Sequence, residues 1–364
     1  MNSSSLHRAT LPGVALLAAG LTLTGCGNNG GSGGSSGNTL NGGGATSQAV
    51  AEQTWRADYQ KANSGTTINY EEVGSGTGVT NFTSKAYSFA GSDAYLTTDQ
   101  LAATKKTCGA DVIEVPAYVS PIAVAFNLSG VTSLNLDAKT IADIFNGTIT
   151  TWDDPAIAQQ NPGTKLPSTA ITAIHRSDES GTTFNFTDYL SKASGGAWSD
   201  AAATVWPAGV KGGQGQEGTS GVIGILADTD GAIGYADDSA VKAAKTLGVV
   251  SIKVGKSYNA PSATGAAQVL ASSPAAPGRP ATDMATDIDR TASAPGDYPL
   301  MLASYLLACP TYSDSATAAA VKGYLGYVVS TQGQQDAAAV AGSAPLDSKL
   351  SKKAAAIVSQ ISAG

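Results

Sequence analysis

An α/β fold with mostly parallel sheets is what this sequence predicts, and three observations carry that expectation. From Ala45 onward, short apolar runs alternate with segments of helical periodicity. The breaks between them are rich in Gly, Pro, Ser and Asp. The hydrophobic fraction, 42% of 364 residues, is ample for the cores of two domains.

Taken in order, Ala51, Trp55 and Tyr59 stand at i, i+4 and i+8, the stripe of an amphipathic helix. TTINYEEV (66–73) reads as a strand, and GSGTG breaks it. Further strands are expected at DVIEVPA, SPIAVAFN, ITAIHR, GAIGYA, VVSIKV and PLMLASYLL. Helical patterns lie between them at TTDQLAATKK, AKTIADIF, TTFNFTDYL, TSGVIGILAD and SAVKAAKTLG, with three more toward the C-terminus. In DDPAIAQQ, Asp154 is placed to cap a helix whose first residue is Pro155. SSPAAPGRPATD (272–283) and TASAPGDYP (291–299) predict a surface excursion.

The N-terminus reads as an export signal. Residues 1–25 combine a weakly positive start at Arg8 with LPGVALLAAGLTL, an apolar stretch too short to span a bilayer comfortably. It ends in LTGC (23–26), the pattern of a bacterial lipobox, which makes Cys26 the lipidated residue. Two acyl chains there would give the stable anchoring that one cannot. Residues 26–44 then read as a flexible Gly/Ser tether, with the folded part starting near Ala45. The expected location is the extracytoplasmic face of the cell membrane, held by the lipid anchor. Of the remaining cysteines, Cys108 and Cys309 favour a disulfide over two free thiols, because an exported chain meets an oxidising compartment.

Charge is scarce. Asp, Glu, Lys and Arg make up 13% of the chain, about half the usual share of roughly 25%. A formal charge of -7 with no basic stripe argues against nucleic acid as a partner. An anion would have to be bound locally, and two places invite it. The strings SGT and NFT recur together at 75–83 and at 180–187, each copy after a strand and at the start of a helix. A helix N-terminus presents unpaired N–H groups and about half a positive charge, so such a junction holds anions readily. Ser and Thr at helix starts also serve as simple caps. Arg176 distinguishes the second junction: it ends the apolar strand ITAIH directly before RSDESGT, where its fork of donors points at whatever the helix start holds.

VGSGTGVTNF, SFAGSDAYLT, FNGTITTWDDPAI, HRSDESGTTFNFTDYL, DGAIGYAD and the late GSAPL occur in that order. Together they resemble the phosphate-binding component of the bacterial ABC phosphate importer, and Cys108 and Cys309 are similar to the cysteine pair of its actinobacterial members. The resemblance implies a two-lobed periplasmic-binding-protein-like fold (type II). Each lobe would be a mixed sheet flanked by helices, with two hinge crossings and phosphate trapped between the lobes. The expected division is 45–117 plus 298–364 for lobe I and 118–297 for lobe II. The ligand contacts it implies fall on Thr46, Ser47, Ser75, Asp93, Arg176, Ser180, Gly181 and Thr182, with Asp178 orienting the arginine. Ser47 stands where some members have phenylalanine, and Glu179 is an added charge expected to face solvent. The implied partners are inorganic phosphate and the membrane permease subunits, served by cytoplasmic ATPase subunits. No cofactor and no metal is implied.

A carboxylate at Asp93 makes chemical sense in such a site. Phosphate near neutral pH keeps at least one P–OH, which can donate to an ionised Asp. Sulfate has no proton and would leave two negative groups facing each other. A site built to accept a donated proton can reject its isostere by about 10⁴-fold. Arsenate keeps a proton as phosphate does, so a receptor for another such oxyanion is one alternative.

A secreted phosphatase-like hydrolase is the alternative from the enzyme class. The sequence offers little for it. Export would remove His7 and leave His175 alone, on the opposite face of its strand from Arg176, with no G-x-S-x-G elbow from Ala45 onward. GGQGQEG (212–218) contains a G-x-G-x-x-G, but it follows no apolar strand and includes an acid, so it reads as a loop that leads into the next helix and approaches the cleft. No G-x-x-x-x-G-K-[ST] occurs.

Overall fold

The computed structural model describes residues 38–210 and 212–364. The export signal, Cys26 and the first part of the expected tether lie outside these residues. The α/β expectation is met by two groups of strands that share one long strand, Ile113–Phe126.

In the first group, Thr66–Glu71, Asn38–Gly44 and Phe89–Ser92 run parallel, and Met301–Ala308 lies antiparallel between Phe89–Ser92 and the shared strand. The shared strand pairs with Met301–Ala308 as far as Pro121. From Ile122 it turns to Ala232–Asp237, beyond which lie Thr172–Arg176 and Gln214–Gln216. Gly248–Val254 joins the end of the shared strand and carries Ser133–Leu136 and Ser257–Asn259. The sheets are therefore mixed rather than mostly parallel. The neighbours of the shared strand return antiparallel to it on both sides, a pairing that no local pattern in an apolar run reveals.

The elements form where the apolar periodicity puts them. Ala51, Trp55 and Tyr59 are buried on helix Ala49–Ala62, and Trp55 Nε1–H donates to Gly333 O at 2.7 Å. Asp154 caps Pro155–Ala158 through Ala156 N–H, at 2.8 Å. Cys108 and Cys309 form a disulfide that closes a sequence separation of 201 residues, at the end of helix Thr98–Cys108. No helix among the described residues is long and apolar enough to cross a membrane.

Two expectations are corrected. The tether does not extend to residue 44, because Asn38–Gly44 is the strand between Thr66–Glu71 and Phe89–Ser92. Leu40 is fully buried, and its glycines serve close packing. A Cβ on Gly42 would stand 2.5 Å from the Phe89 ring, and one on Gly44 would stand 2.0 Å from Gly91 O. DVIEVPA and SPIAVAFN are one strand, not two. Its register slips between Ser304 and Tyr305, leaving Ala117 as an extra residue whose carbonyl accepts from Gln334 Nε2 at 2.7 Å.

SSPAAPGRPATD and TASAPGDYP run over the surface as expected, through 272–282 apart from Ala276 and through 291–296, and the chain turns inward between them and at 297–299. Helix Ala263–Ser272 packs with Val119, Met301 and Tyr305, and Met284 N–H donates to Glu114 O at 2.8 Å. The residues between the two stretches pack on the first group of strands, Ile288 with Met301 and Tyr305.

Candidate functional site

Four helix starts supply the site. They are the 3-10 turn Thr46–Gln48 that leads into Ala49–Ala62, and the helices Ser75–Thr83, Gly181–Ala193 and Gly218–Asp228. Each follows a strand or a short extended run, so its free N–H groups face the ends of the strands. Direct contacts tie the four together. Gly76 N–H donates to Glu179 O at 3.0 Å, Thr46 and Thr219 share a hydroxyl hydrogen bond of 2.8 Å, and Gly218 N–H donates to Asp178 Oδ1 at 3.1 Å. A Cβ on Gly181 would stand 2.6 Å from both Asp93 Cβ and Ser75 Oγ, so only glycine permits this approach.

Asp93 lies at the centre, on the turn after Phe89–Ser92, and is 3% exposed. Its Oδ1 accepts from Ser47 Oγ at 2.6 Å and from Ser304 Oγ at 2.5 Å, and its Oδ2 accepts from Thr182 Oγ1 at 3.1 Å. Burial pushes this carboxyl above its ordinary value, while the hydroxyls of Ser304, Ser47 and Thr182 and the charge of Arg176 hold it down. A carboxylate offers about four acceptor positions. Three are taken by these hydroxyls, and the one that remains is on Oδ2.

Arg176 is as buried as Asp93 and ends strand Thr172–Arg176. Asp178 takes two of its donors, through Nε at 2.7 Å and through Nη2. The other N–H groups of the fork are not used by Asp178. Burial alone would raise the Asp178 carboxyl, but the hydrogen bond and charge of Arg176, with Gly218 N–H, bring it below the usual carboxylate range. The arginine is thus held ready by an acid that is itself fixed from a third helix start.

The two serines at the turns are oriented as donors. Ser75 Oγ accepts from Asp93 N–H at 3.1 Å, and Ser180 Oγ accepts from Thr183 N–H at 3.2 Å. Each hydroxyl proton is therefore free to point elsewhere. Thr46, Ser75, Ser180, Gly181 and Thr182 are all buried within this cluster. Ser47 and Thr182 differ from expectation in one respect: their hydroxyls are engaged with Asp93, so an anion would meet their backbone N–H groups. Glu179 is exposed, as expected. His175 leaves the cluster, stacks on Trp206 at 4.6 Å between ring centres, and is brought down from its ordinary value by burial.

Several members of the site escaped sequence reasoning. Ser304 is the polar residue inside the apolar, fully buried run LASYLL, and that isolation was its signal. Gln48 donates to Ser304 through Nε2, and Asn185 Nδ2 donates to Asp93 O at 2.8 Å. GGQGQEG is corrected from a loop to an edge strand, Gln214–Gln216, paired parallel with Thr172–Arg176, and it leads into helix Gly218–Asp228, whose Gly218 and Thr219 reach Asp178 and Thr46. Among the described residues no group of His, Cys, Asp and Glu is arranged to hold a metal ion.

Comparison with known proteins places the chain in a family. Residues 30–332 match the model of the PBP superfamily domain. The chain is 37% identical to phosphate-binding protein PstS 2 of Mycobacterium tuberculosis, over 96% of this chain and 98% of that one. It is also 37% identical to phosphate-binding protein PstS 3 of the same organism, over 86% and 88% of the two chains. Among solved structures, a high-affinity periplasmic phosphate-binding protein bound with phosphate, PfluDING, superposes with a TM-score of 0.71 at 22% identity, covering 87% of this chain and 93% of its own. That likeness carries the two-lobed expectation for the fold, and the sequence identities carry the family: the chain belongs to the PBP superfamily and, within it, to the family of the mycobacterial phosphate-binding proteins PstS.

Proposed function

We propose that this chain is an extracytoplasmic receptor that binds inorganic phosphate and delivers it to the membrane permease of an ABC importer. Kinship with the PstS proteins supports the ligand, and one observation in the site carries it: Asp93 keeps one acceptor position on Oδ2, among donors suited to an anion. A ligand that fills this site must be negative and must still bring a proton of its own. Phosphate near neutral pH does both, and sulfate fails the second condition.

In this reading Thr46, Ser47, Gly181 and Thr182 offer backbone N–H groups, Ser75 and Ser180 offer hydroxyls, and Arg176 offers its free fork, oriented by Asp178. The ligand is held between elements of the two groups of strands, so its binding energy favours their closure and the hinge relaxes at the permease. The role is binding and release rather than bond cleavage. Lipidation at Cys26 would keep the receptor at the membrane, where the ligand is handed over.

Calorimetric titration of soluble protein beginning after Cys26, at neutral pH and two salt concentrations, tests the reading. One phosphate site with no sulfate heat is the expected result. Binding of neither anion, or of both equally, overturns it.

A further inference from the structure

We propose that Asn185 and Arg290 form a latch that holds the closed geometry, with Asn185 as the positioning residue that sets how slowly phosphate leaves. The inference rests on the phosphate-receptor reading and concerns residues outside the expected ligand set. Asn185 lies one turn into helix Gly181–Ala193, on the face it shares with the buried Phe186 and Tyr189, and is 1% exposed. A polar amide at such a position needs partners for both its donors and its acceptor.

The partners it has are specific. Nδ2 donates to Gly181 O at 2.9 Å within its own helix and to Asp93 O at 2.8 Å across the site. Oδ1 accepts from Arg290 Nη2 at 2.5 Å. A guanidinium can only donate, so the oxygen of Asn185 must face Arg290 and its nitrogen must face the two carbonyls. Arg290 therefore fixes which way the amide points.

Arg290 is itself anchored. It is 2% exposed, its Nε donates to Asp188 Oδ2 at 2.8 Å, and its Nη1 donates to Met301 O at 2.7 Å and Pro299 O at 3.0 Å. It joins helix Gly181–Ala193 to the start of strand Met301–Ala308, the strand from which Ser304 reaches the Asp93 carboxylate. Asp93 is consequently held at both ends, its carboxylate by Ser304 and its carbonyl by Asn185. The Asn185 bond to Asp93 exists only while the helix start abuts the Asp93 turn, at the approach that Gly181 allows. It stabilises the closed arrangement and contributes nothing to an open one.

Exchange of labelled phosphate bound to the lipid-free protein against excess unlabelled phosphate measures the latch directly. In Asn185→Ala the dissociation rate should rise about five- to ten-fold, as expected for one buried hydrogen bond. The dissociation constant should rise by the same factor, with the association rate and the exclusion of sulfate unchanged. A residue that merely supported the fold would not separate the two rates in this way. Arg290→Lys, which keeps a charge beside Asp188, should act in the same direction, and it serves as the test if the alanine variant does not fold. An unchanged dissociation rate, or a loss that falls on association, overturns the latch. If the unsubstituted protein takes up no phosphate at all, the receptor reading fails with it.

Discussion

The Ser304 hydroxyl donates to Asp93 Oδ1 at 2.5 Å across 211 residues of sequence, on the same oxygen that accepts from Ser47. Neither residue has water to fall back on, since Ser304 is fully buried and Asp93 nearly so. Two donors on Oδ1 keep that oxygen occupied, so the acceptor position left on the carboxylate is on Oδ2, beside Thr182. Ser304→Ala should push the Asp93 carboxyl further up and weaken phosphate binding about five- to thirty-fold, the effect of a lost hydrogen bond to a buried charged group. Calorimetry at neutral pH checks this, and affinity within two-fold of the unsubstituted protein would remove Ser304 from the site.

Sulfate exclusion should depend on pH through Asp93. The carboxyl is raised by burial, so it is ionised above that raised value and rejects an anion without a proton. As the pH falls through it, Asp93 gains a proton, becomes a donor and admits sulfate. Asp93→Asn should bind sulfate across the whole range, because the amide donates at every pH. The same shift has a sign for stability: a raised carboxyl holds its proton more tightly folded than unfolded. Ligand-free protein therefore loses this contribution as the pH rises from the ordinary carboxylate value to the raised one. Sulfate titrations at several pH values, in both proteins, read the difference. Exclusion that does not change with pH would contradict the role given to Asp93.

Asp178 carries the opposite sign. The Arg176 and Asp178 side chains are 3% and 14% exposed, so the pair is shielded from solvent. Removing the acid leaves a buried guanidinium without its hydrogen-bonded partner, with only the charge of Asp93 nearby. Asp178→Asn should cost about 3–5 kcal/mol of ligand-free stability, read from the urea midpoint at neutral pH. Because the Asp178 carboxyl is depressed, its contribution is present above the ordinary carboxylate value and is lost as the pH falls through the depressed one. The gap between the two proteins should therefore narrow in acid. A gap that stays constant down to low pH would mean that the pair adds little.

Much of this was legible in the sequence, for identifiable reasons. Helices declare themselves by local features, Ala49–Ala62 by its apolar stripe and Gly181–Ala193 by its capping Ser180. Arg176 and the two SGT turns stood out because charge is scarce and the turns repeat, whereas Asp93 was marked only by the resemblance of AGSD to the phosphate-binding family. What the sequence hid depends on contacts distant in the chain. Ser304 and Arg290 acquire their meaning only when Met301–Ala308 is laid beside Phe89–Ser92 and Arg290 folds back onto the start of Met301–Ala308. Pro116 and Pro121 made one strand look like two, since a proline in an apolar run usually marks an edge or an end.

The strand Asn38–Gly44 is the sharpest case, because its composition is that of a linker and its role is structural. Glycine in a strand ordinarily weakens it, through entropy and the lack of a side chain to pack. Here the space beside Gly42 is filled by Phe89 and that beside Gly43 by Tyr87 and Glu71 O. Gly44 has φ at +143° and a backbone oxygen where its Cβ would be. It also precedes Ala45, whose N–H donates to Gly91 O at 2.9 Å, and it sets the direction in which the Thr46 turn enters the site. Gly44→Ala should therefore destabilise the fold by about 2–3 kcal/mol and weaken phosphate binding as well, because the turn is displaced. The same substitution at Gly31, in the expected tether, should change neither quantity. Thermal unfolding and phosphate titration of the two variants separate a strand from a linker, and equal behaviour at positions 31 and 44 would return residues 38–44 to the tether.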